Sequence, residues 1–351
     1  MLAYDNISFG ASGGEPRQEV DPQQRRRGYR DAITYIGLGK SSDLPAVLRD
    51  LVTGGSGFLG AWIVRRLASS GHEIRVLDNR PDLALVEAVA GQAVAAELDW
   101  RTGSVANEAD VEAAVQGCDA IAHLAGILVP ECAADPVRGA TINLIGTLNI
   151  FRAARKHGVG RLVYTSSATV YGPDHNRFPC PETHYGAFKL ACEGSARAFW
   201  HDAGQASIGF RPFVVYGGGR EVGASAGPTL ACRAAARGEA YEIPYEAAAG
   251  LSYVEDVAMA YELAILREPG GAFVFNLSGD VVTNHDVVAA IKRVAPSARL
   301  SVCGTPLMIV ADIGDGDLYK AFPNLTRTPV DEGVRRTVEF YRHSTLDLSK
   351  R

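Results

Sequence analysis

Residues 47–78 spell a strand, a glycine turn, a helix and a second strand, and few folds accept that order. Residues 47–52 are a short apolar run with Asp50 as an unusual occupant. Thr53-Gly54-Gly55-Ser56-Gly57-Phe58-Leu59-Gly60 follows, and then Trp62, Ile63, Val64 and Leu67 recur near helical spacing. Gly71 is placed to stop that helix, and residues 73–78 form a second run ending in Asp78. A strand that passes through a glycine turn into a helix and returns as a strand is a βαβ unit, and such units build parallel sheet.

The alternation persists. The pattern predicts further strands at 93–98, 120–124, 161–165 and 206–211, and helices at 109–115, 141–157 and 185–203. After Arg211 it loosens into glycine runs, with helices near 229–237 and 285–294. The expected fold is α/β: a Rossmann-type, doubly wound parallel sheet covered on both faces, with a smaller C-terminal substrate-binding lobe. Residues 1–46 are polar with little apolar periodicity and read as a flexible N-terminal extension. Residues 47–210 then read as the Rossmann domain and 211–351 mainly as the substrate lobe, with some return to the core.

Composition removes other classes. Lys and Arg number 35 against 40 Asp and Glu, with no basic cluster longer than Arg25-Arg26-Arg27, so nothing favours a nucleic-acid partner. No apolar stretch reaches the roughly 20 residues of a membrane span, so no membrane partner is expected. The start of the chain lacks the charged flank and apolar block of a secretory signal. Six cysteines without C-x-x-C spacing read as reduced thiols, which points to the cytoplasm. His and Cys show no ligand spacing, so no metal is expected.

Gly54, Gly57 and Gly60 sit between a strand and a helix, where such glycines serve a dinucleotide. A side chain at Gly57 would keep a pyrophosphate from the first amides of the helix, and Gly60 lets helix and strand pack closely. The helix N-terminus supplies free N–H donors and partial positive charge. Asp78, 18 residues beyond Gly60, is placed to accept hydrogen bonds from the adenosine ribose, which favours NAD over its phosphorylated form. Arg80 nearby is the residue type that accommodates the extra phosphate. Asp99 follows the run at 93–98 and reads either as an acceptor for the adenine amino group or as a turn residue. Leu124, Ala125 and Gly126 are small enough to pass beneath the cofactor. His123 before them reads as a packed, hydrogen-bonded residue rather than a catalyst.

Tyr185 and Lys189 stand four apart on the helix expected at 185–203, so they share a face. A free phenol titrates near ~10, too high for a base at neutral pH, and a neighbouring ammonium favours its ionised form. Ser167 lies 18 residues upstream, at the end of a strand, placed to hydrogen-bond the substrate oxygen whose proton Tyr185 exchanges.

These motifs together resemble the extended short-chain dehydrogenase/reductase superfamily, of the NAD-dependent epimerase/dehydratase type. The similarity runs from about residue 47 to 340, through the segments 53–60, Asp78, Leu98-Asp99, 123–126, Asn143-x-x-Gly146-Thr147-x-Asn149, 164–172, 185–189, 210–217 and 253–258. The resemblance implies NAD as cofactor and hydride transfer at a substrate carbinol carbon, coupled to proton transfer through Tyr185. It implies that Lys189 tunes Tyr185 and anchors the nicotinamide ribose, and that Thr169 is a second hydroxyl beside Ser167. Asn143 would brace the site, Phe58 and Leu59 would offer backbone amides, Asn79 would join Asp78 at the cofactor, and Phe213 would lie near the nicotinamide. A homodimer paired through the helices at 141–157 and 185–203 is implied likewise.

Two departures bear on the small-molecule, sugar-like substrate. Nucleotide-sugar members commonly carry Asn where Val214 stands, and Arg where Ala249 stands, both as phosphate contacts. Arg220 and Arg233 are the candidates to compensate, and Arg220 in the glycine-rich loop 217–229 is placed to meet a substrate carboxylate. Glu182 and His184 are the available extra acid/base groups, or simply helix-entry residues. Epimerase or dehydratase chemistry on a sugar or nucleotide sugar leads. A dehydrogenase of a small sugar acid, polyol or hydroxy acid is the alternative, and a non-catalytic NAD-binding protein is more remote.

Overall fold

The computed structural model describes residues 47–80, 82–172, 178–307 and 313–344. The extension expected at 1–46 lies outside them. In chain order the strands are β1 (Arg49–Thr53), β2 (Glu73–Asp78), β3 (Asp99–Thr102), β4 (Ala120–His123), β5 (Arg161–Thr165), β6 (Ser207–Pro212), β7 (Val214–Tyr216), β8 (Ala240–Ile243), β9 (Ala248–Tyr253), β10 (Ala272–Leu277), β11 (Asp280–Thr283) and β12 (Arg299–Val302). Seven of them form one parallel sheet in the order β10-β6-β5-β4-β1-β2-β3. The Rossmann-type expectation is therefore met. The strand order reverses between β1 and β4, the crevice where such sheets bind ligands.

Parallel strands are covered on both faces and so read as apolar runs, with alternate residues facing opposite ways. Val52, Val76, Ala122 and Val163 enter the core on one side of the sheet, while Leu51, Leu77, Ile121 and Leu162 enter the other. The helix Phe58–Ser69 buries Trp62, Ile63, Val64 and Leu67, at the spacing the sequence shows. Asp50, the odd residue of β1, is fully buried with a carboxylate oxygen 2.5 Å from His72 Nδ1. Burial pushes its carboxyl up, and the hydrogen bond to Asp50 raises His72 in turn.

Residues 93–98 are not the expected third strand. Gln92–Glu97 is a helix, and the strand begins one residue later, at Asp99. The segment carries three alanines, which favour helix, and only Val94 favours strand. The helix expected at 141–157 opens with a π-turn, Thr141–Ile145, before the regular helix Gly146–Lys156. The chain returns to the main sheet through β10, beside β6. Two smaller sheets, β11-β9-β7 and β12-β8, are built from the C-terminal part. No helix among the described residues is long and apolar enough to cross a membrane.

Candidate active site

Thr53, His123 and Thr165 end adjacent strands of the sheet, and the candidate site is built on those ends. The glycine turn follows β1. Gly54 has φ +74°, and a Cβ there would lie 2.9 Å from the Ala125 nitrogen. A Cβ on Gly60 would stand 2.2 Å from the Gly54 carbonyl oxygen, a separation no side chain tolerates. Gly57 precedes the helix Phe58–Ser69, and no side chain caps it. The first amides, including those of Phe58 and Leu59, lack intrahelical acceptors and are available to an anion. The glycines make a cradle that suits a pyrophosphate.

Asp78 ends β2 and leans onto this turn. Its Oδ2 accepts from the Ser56 nitrogen at 3.1 Å and from Ser56 Oγ at 2.7 Å, and its Oδ1 accepts from the Arg80 nitrogen at 3.1 Å. Asn79 and Arg80 are exposed beside it. Asp99 is placed differently: it opens β3, with its carboxylate 2.7 Å from Arg75 Nε and 2.8 Å from Arg101 Nε. Burial opposes its ionisation, but the hydrogen bonds from Arg101 and Arg75 outweigh it and hold the carboxyl below its ordinary value.

Leu124, Ala125 and Gly126 leave β4 directly beside the turn. The Leu124 and Ala125 amides both donate to Thr53 Oγ1, each at 3.1 Å. His123 is buried, with Nε2 3.0 Å from Thr147 Oγ1, and Thr147 donates to the Asn143 carbonyl at 2.7 Å. Asn143 lies in the π-turn, fully buried. Its Nδ2 donates to the Ile127 carbonyl at 3.1 Å and the Gly139 carbonyl at 3.2 Å, while its Oδ1 has no partner. A Cβ on Gly126 would lie 2.5 Å from that orphan oxygen and 3.8 Å from Lys189 Nζ, so Gly126 keeps the two in view of one another.

Tyr185 and Lys189 stand in the first turns of the helix His184–Ala203, which Thr183 caps by accepting from the Gly186 nitrogen. Lys189 is buried, its Nζ 5.5 Å from the Tyr185 ring centroid and 2.8 Å from the Thr165 carbonyl oxygen. Ser167, just past β5, accepts from the Thr169 nitrogen at 3.1 Å and Thr169 Oγ1 at 2.9 Å. Both lone pairs of its hydroxyl are thereby filled, and its proton is left to donate elsewhere. Phe213 packs beside this turn with Ala168, Val170 and Tyr171.

Glu182 and His184 are exposed at the entry to the helix. Val214 and Ala249 are buried in the small sheet, and Arg233 pairs with Glu221.

Sequence reasoning passed over Thr53, Ser56, Thr147 and Glu193. Glu193 lies one turn beyond Lys189 on the same face. It is fully buried, takes a hydrogen bond from Ser166 Oγ at 2.5 Å, and is bridged by Arg211 Nε at 2.7 Å and Nη2 at 2.5 Å. The recurrence at 185, 189 and 193 was the signal for it. Arg211 also donates to the Tyr171 hydroxyl, so this pair braces both sides of the Ser167 turn.

Known proteins resemble this chain in sequence and in shape. It is 36% identical over 162 residues to UDP-glucose 4-epimerase 3 of Oryza sativa subsp. japonica, a stretch of 42% of this chain and 43% of that protein. The chain thus spans under half the length of that curated relative. The UDP-glucose 4-epimerase of Thermus thermophilus, solved with NAD, superposes with a TM-score of 0.72 at 25% identity, over 85% of this chain and 100% of that one. The UDP-glucose 4-epimerase of Thermotoga maritima, solved with UDP-glucose, gives 0.70 at 25% identity, over 84% and 99%. Residues 51–277 match the model of the NAD dependent epimerase/dehydratase family, and the chain belongs to that family.

Proposed function

We propose that this chain is an NAD-dependent enzyme of the epimerase/dehydratase type, acting on a carbinol carbon of a sugar or nucleotide sugar. The observation that carries the reading is the Lys189 ammonium, 5.5 Å from the Tyr185 ring and 2.8 Å from the carbonyl of Thr165, on the strand that leads to Ser167. Bound NAD supplies a hydride acceptor and donor. Tyr185 takes the hydroxyl proton of the substrate and returns it, with the Lys189 ammonium beside its ring. Ser167 donates to the same substrate oxygen, its proton aimed by the two hydrogen bonds that Thr169 supplies. Asn143 braces the site from the π-turn, through its hydrogen bonds to the Ile127 and Gly139 carbonyls.

The cofactor is held, in this reading, by Gly54, Gly57, Phe58, Leu59 and Gly60 at the pyrophosphate, and by Asp78 and Asn79 at the adenosine ribose. Asp99, the sequence candidate for the adenine, is left out of this set: it opens β3 opposite Arg75, three residues before the partner of Asp78, and its carboxylate is taken by Arg75 and Arg101. Leu124, Ala125 and Gly126 lie beneath the dinucleotide, and Phe213 borders the nicotinamide. Residues 47–210 act as the NAD-binding domain and 211–351 mainly as the substrate lobe. The active form is a homodimer joined through the helical segments 141–157 and His184–Ala203, on which Ile145 and Trp200 are exposed large apolar residues. Six unpaired cysteines support a reducing, cytoplasmic setting.

Val214 and Ala249, buried and apolar, favour a second reading: a dehydrogenase of a small sugar acid, polyol or hydroxy acid. The nucleotide content of freshly purified, then denatured, protein separates the two. An enzyme that recycles its hydride releases near-stoichiometric NAD only on denaturation. Protein that arrives empty and binds NAD reversibly supports the dehydrogenase. Protein that binds no NAD overturns both.

A further inference from the structure

Arg220 is a largely buried cation that meets no carboxylate among the described residues. In the loop after β7 its Nη1 donates to the Val215 carbonyl and its Nη2 to Ser225 Oγ at 2.8 Å, both neutral partners. The neighbouring acid, Glu221, is committed to Arg233 and to the Tyr341 hydroxyl at 2.7 Å. Among the described residues no acid offsets the loss of water around Arg220, and burial draws its guanidinium down to about 10. A buried charge is costly unless paired, and Arg stays protonated in proteins. Among the described residues, then, this positive charge has no acidic partner.

The loop lies beside the segments of the candidate site. Gly223 has φ +107°, and the point its Cβ would occupy is 3.7 Å from both Arg220 Nη2 and Leu128 Cδ1. Leu128 stands two residues beyond Gly126, the glycine that faces Asn143 Oδ1 and Lys189 Nζ. Val215, which Arg220 grips, stands two residues beyond Phe213 at the Ser167 turn. Arg220 therefore borders the segments that carry the catalytic groups.

We infer that Arg220 binds a carboxylate of the substrate, so that the site takes a sugar acid, free or as part of a larger conjugate. The inference rests on the oxidoreductase reading above. Because Glu221 neutralises Arg233, the loop offers a single net charge, which one carboxylate balances through the planar fork of the guanidinium. A diphosphate carries about two charges and needs several donors, which buried Val214 and Ala249 do not supply.

The test is calorimetric titration of the full-length, NAD-loaded protein with D-galacturonate and D-glucuronate, against galactose and glucose, and with UDP alone. The uronates are expected to bind at least about tenfold tighter than the matching neutral sugars. Arg220→Met is expected to erase that difference while changing NAD and neutral-sugar affinity less than about twofold. If that variant does not fold, Arg220→Lys keeps the charge but not the fork and still weakens the uronates several-fold more than the sugars. Equal binding of uronate and sugar, a preference that survives Arg220→Met, or Arg220-dependent binding of UDP alone overturns the inference. Uronate preference in protein that takes up no NAD removes the oxidoreductase reading and leaves the carboxylate site standing. Turnover of neutral sugars that is indifferent to Arg220 does the reverse.

Discussion

Thr53 Oγ1 lies 2.7 Å from His123 Nδ1, across the two strands that flank the crevice of the sheet. Because Thr53 Oγ1 already accepts from the Leu124 and Ala125 amides, its proton points at Nδ1, and His123 carries its own proton on Nε2, toward Thr147. The histidine is thereby neutral and ties β1, β4 and the π-turn of Asn143 into one hydrogen-bonded run.

That neutrality has an acid limit. Burial, then the charge of Lys189, draws His123 down to about 3, against roughly 6.5 when unfolded. Its contribution to stability is complete above about pH 6.5 and is lost as pH falls toward the folded value, at up to roughly 1.4 kcal/mol per pH unit. Urea unfolding of wild type and His123→Gln at about pH 7.5 and about pH 5 checks this. The variant is expected to start less stable and to lose less on acidification; equal acid losses would refute the assignment.

Tyr185→Phe keeps the ring over Lys189 but removes the exchangeable proton. Turnover is expected to fall about 10²–10⁴-fold while NAD affinity stays within about threefold. Normal turnover in this variant would remove Tyr185 as the proton carrier.

Asp78→Ala strips the glycine turn of the acceptor that Ser56 engages at 2.7 Å. Charge-assisted hydrogen bonds contribute about 1.5–3 kcal/mol, so NAD affinity is expected to drop about 10- to 100-fold, with affinity for the phosphorylated cofactor falling less. Titration with both cofactors reads the outcome, and an unchanged preference counts against a ribose contact.

Gly60→Ala sets a methyl group 2.2 Å from the Gly54 oxygen, where the obstacle is backbone and cannot rotate away. Overpacking of this kind costs about 1–3 kcal/mol, and NAD binding is expected to weaken with it. Gly158→Ala, at φ +69° with open space around it, serves as the comparison: it strains the chain locally without touching the turn. Thermal unfolding of both variants with and without NAD checks the difference. The ligand-induced shift should shrink only in Gly60→Ala.

The local part of the site could be read from residue spacing. Tyr185 and Lys189 are one helical turn apart, and Gly54, Gly57 and Gly60 recur every third residue where β1 passes into the next helix, so chain geometry alone brings each group together. The misassigned segment at 93–98 shows the limit of the same approach. Short apolar runs suit a helix or a strand, and here alanine content and the strand register of Asp99 beside Arg75 decided between them.

The sequence by itself determined the alternation of strands and helices, the glycine cradle and the Tyr185–Lys189 face, because each follows from periodicity within a few residues. The tertiary structure alone decided the rest. Thr53 and His123 are 70 residues apart, and Glu193 and Arg211 are 18 apart on different elements. Glu221 pairs with Arg233 rather than with its chain neighbour Arg220, which takes the Val215 carbonyl and Ser225 Oγ instead. Such pairings arise because burying a polar group demands a partner, and the fold, not the spacing, determines which groups are buried side by side.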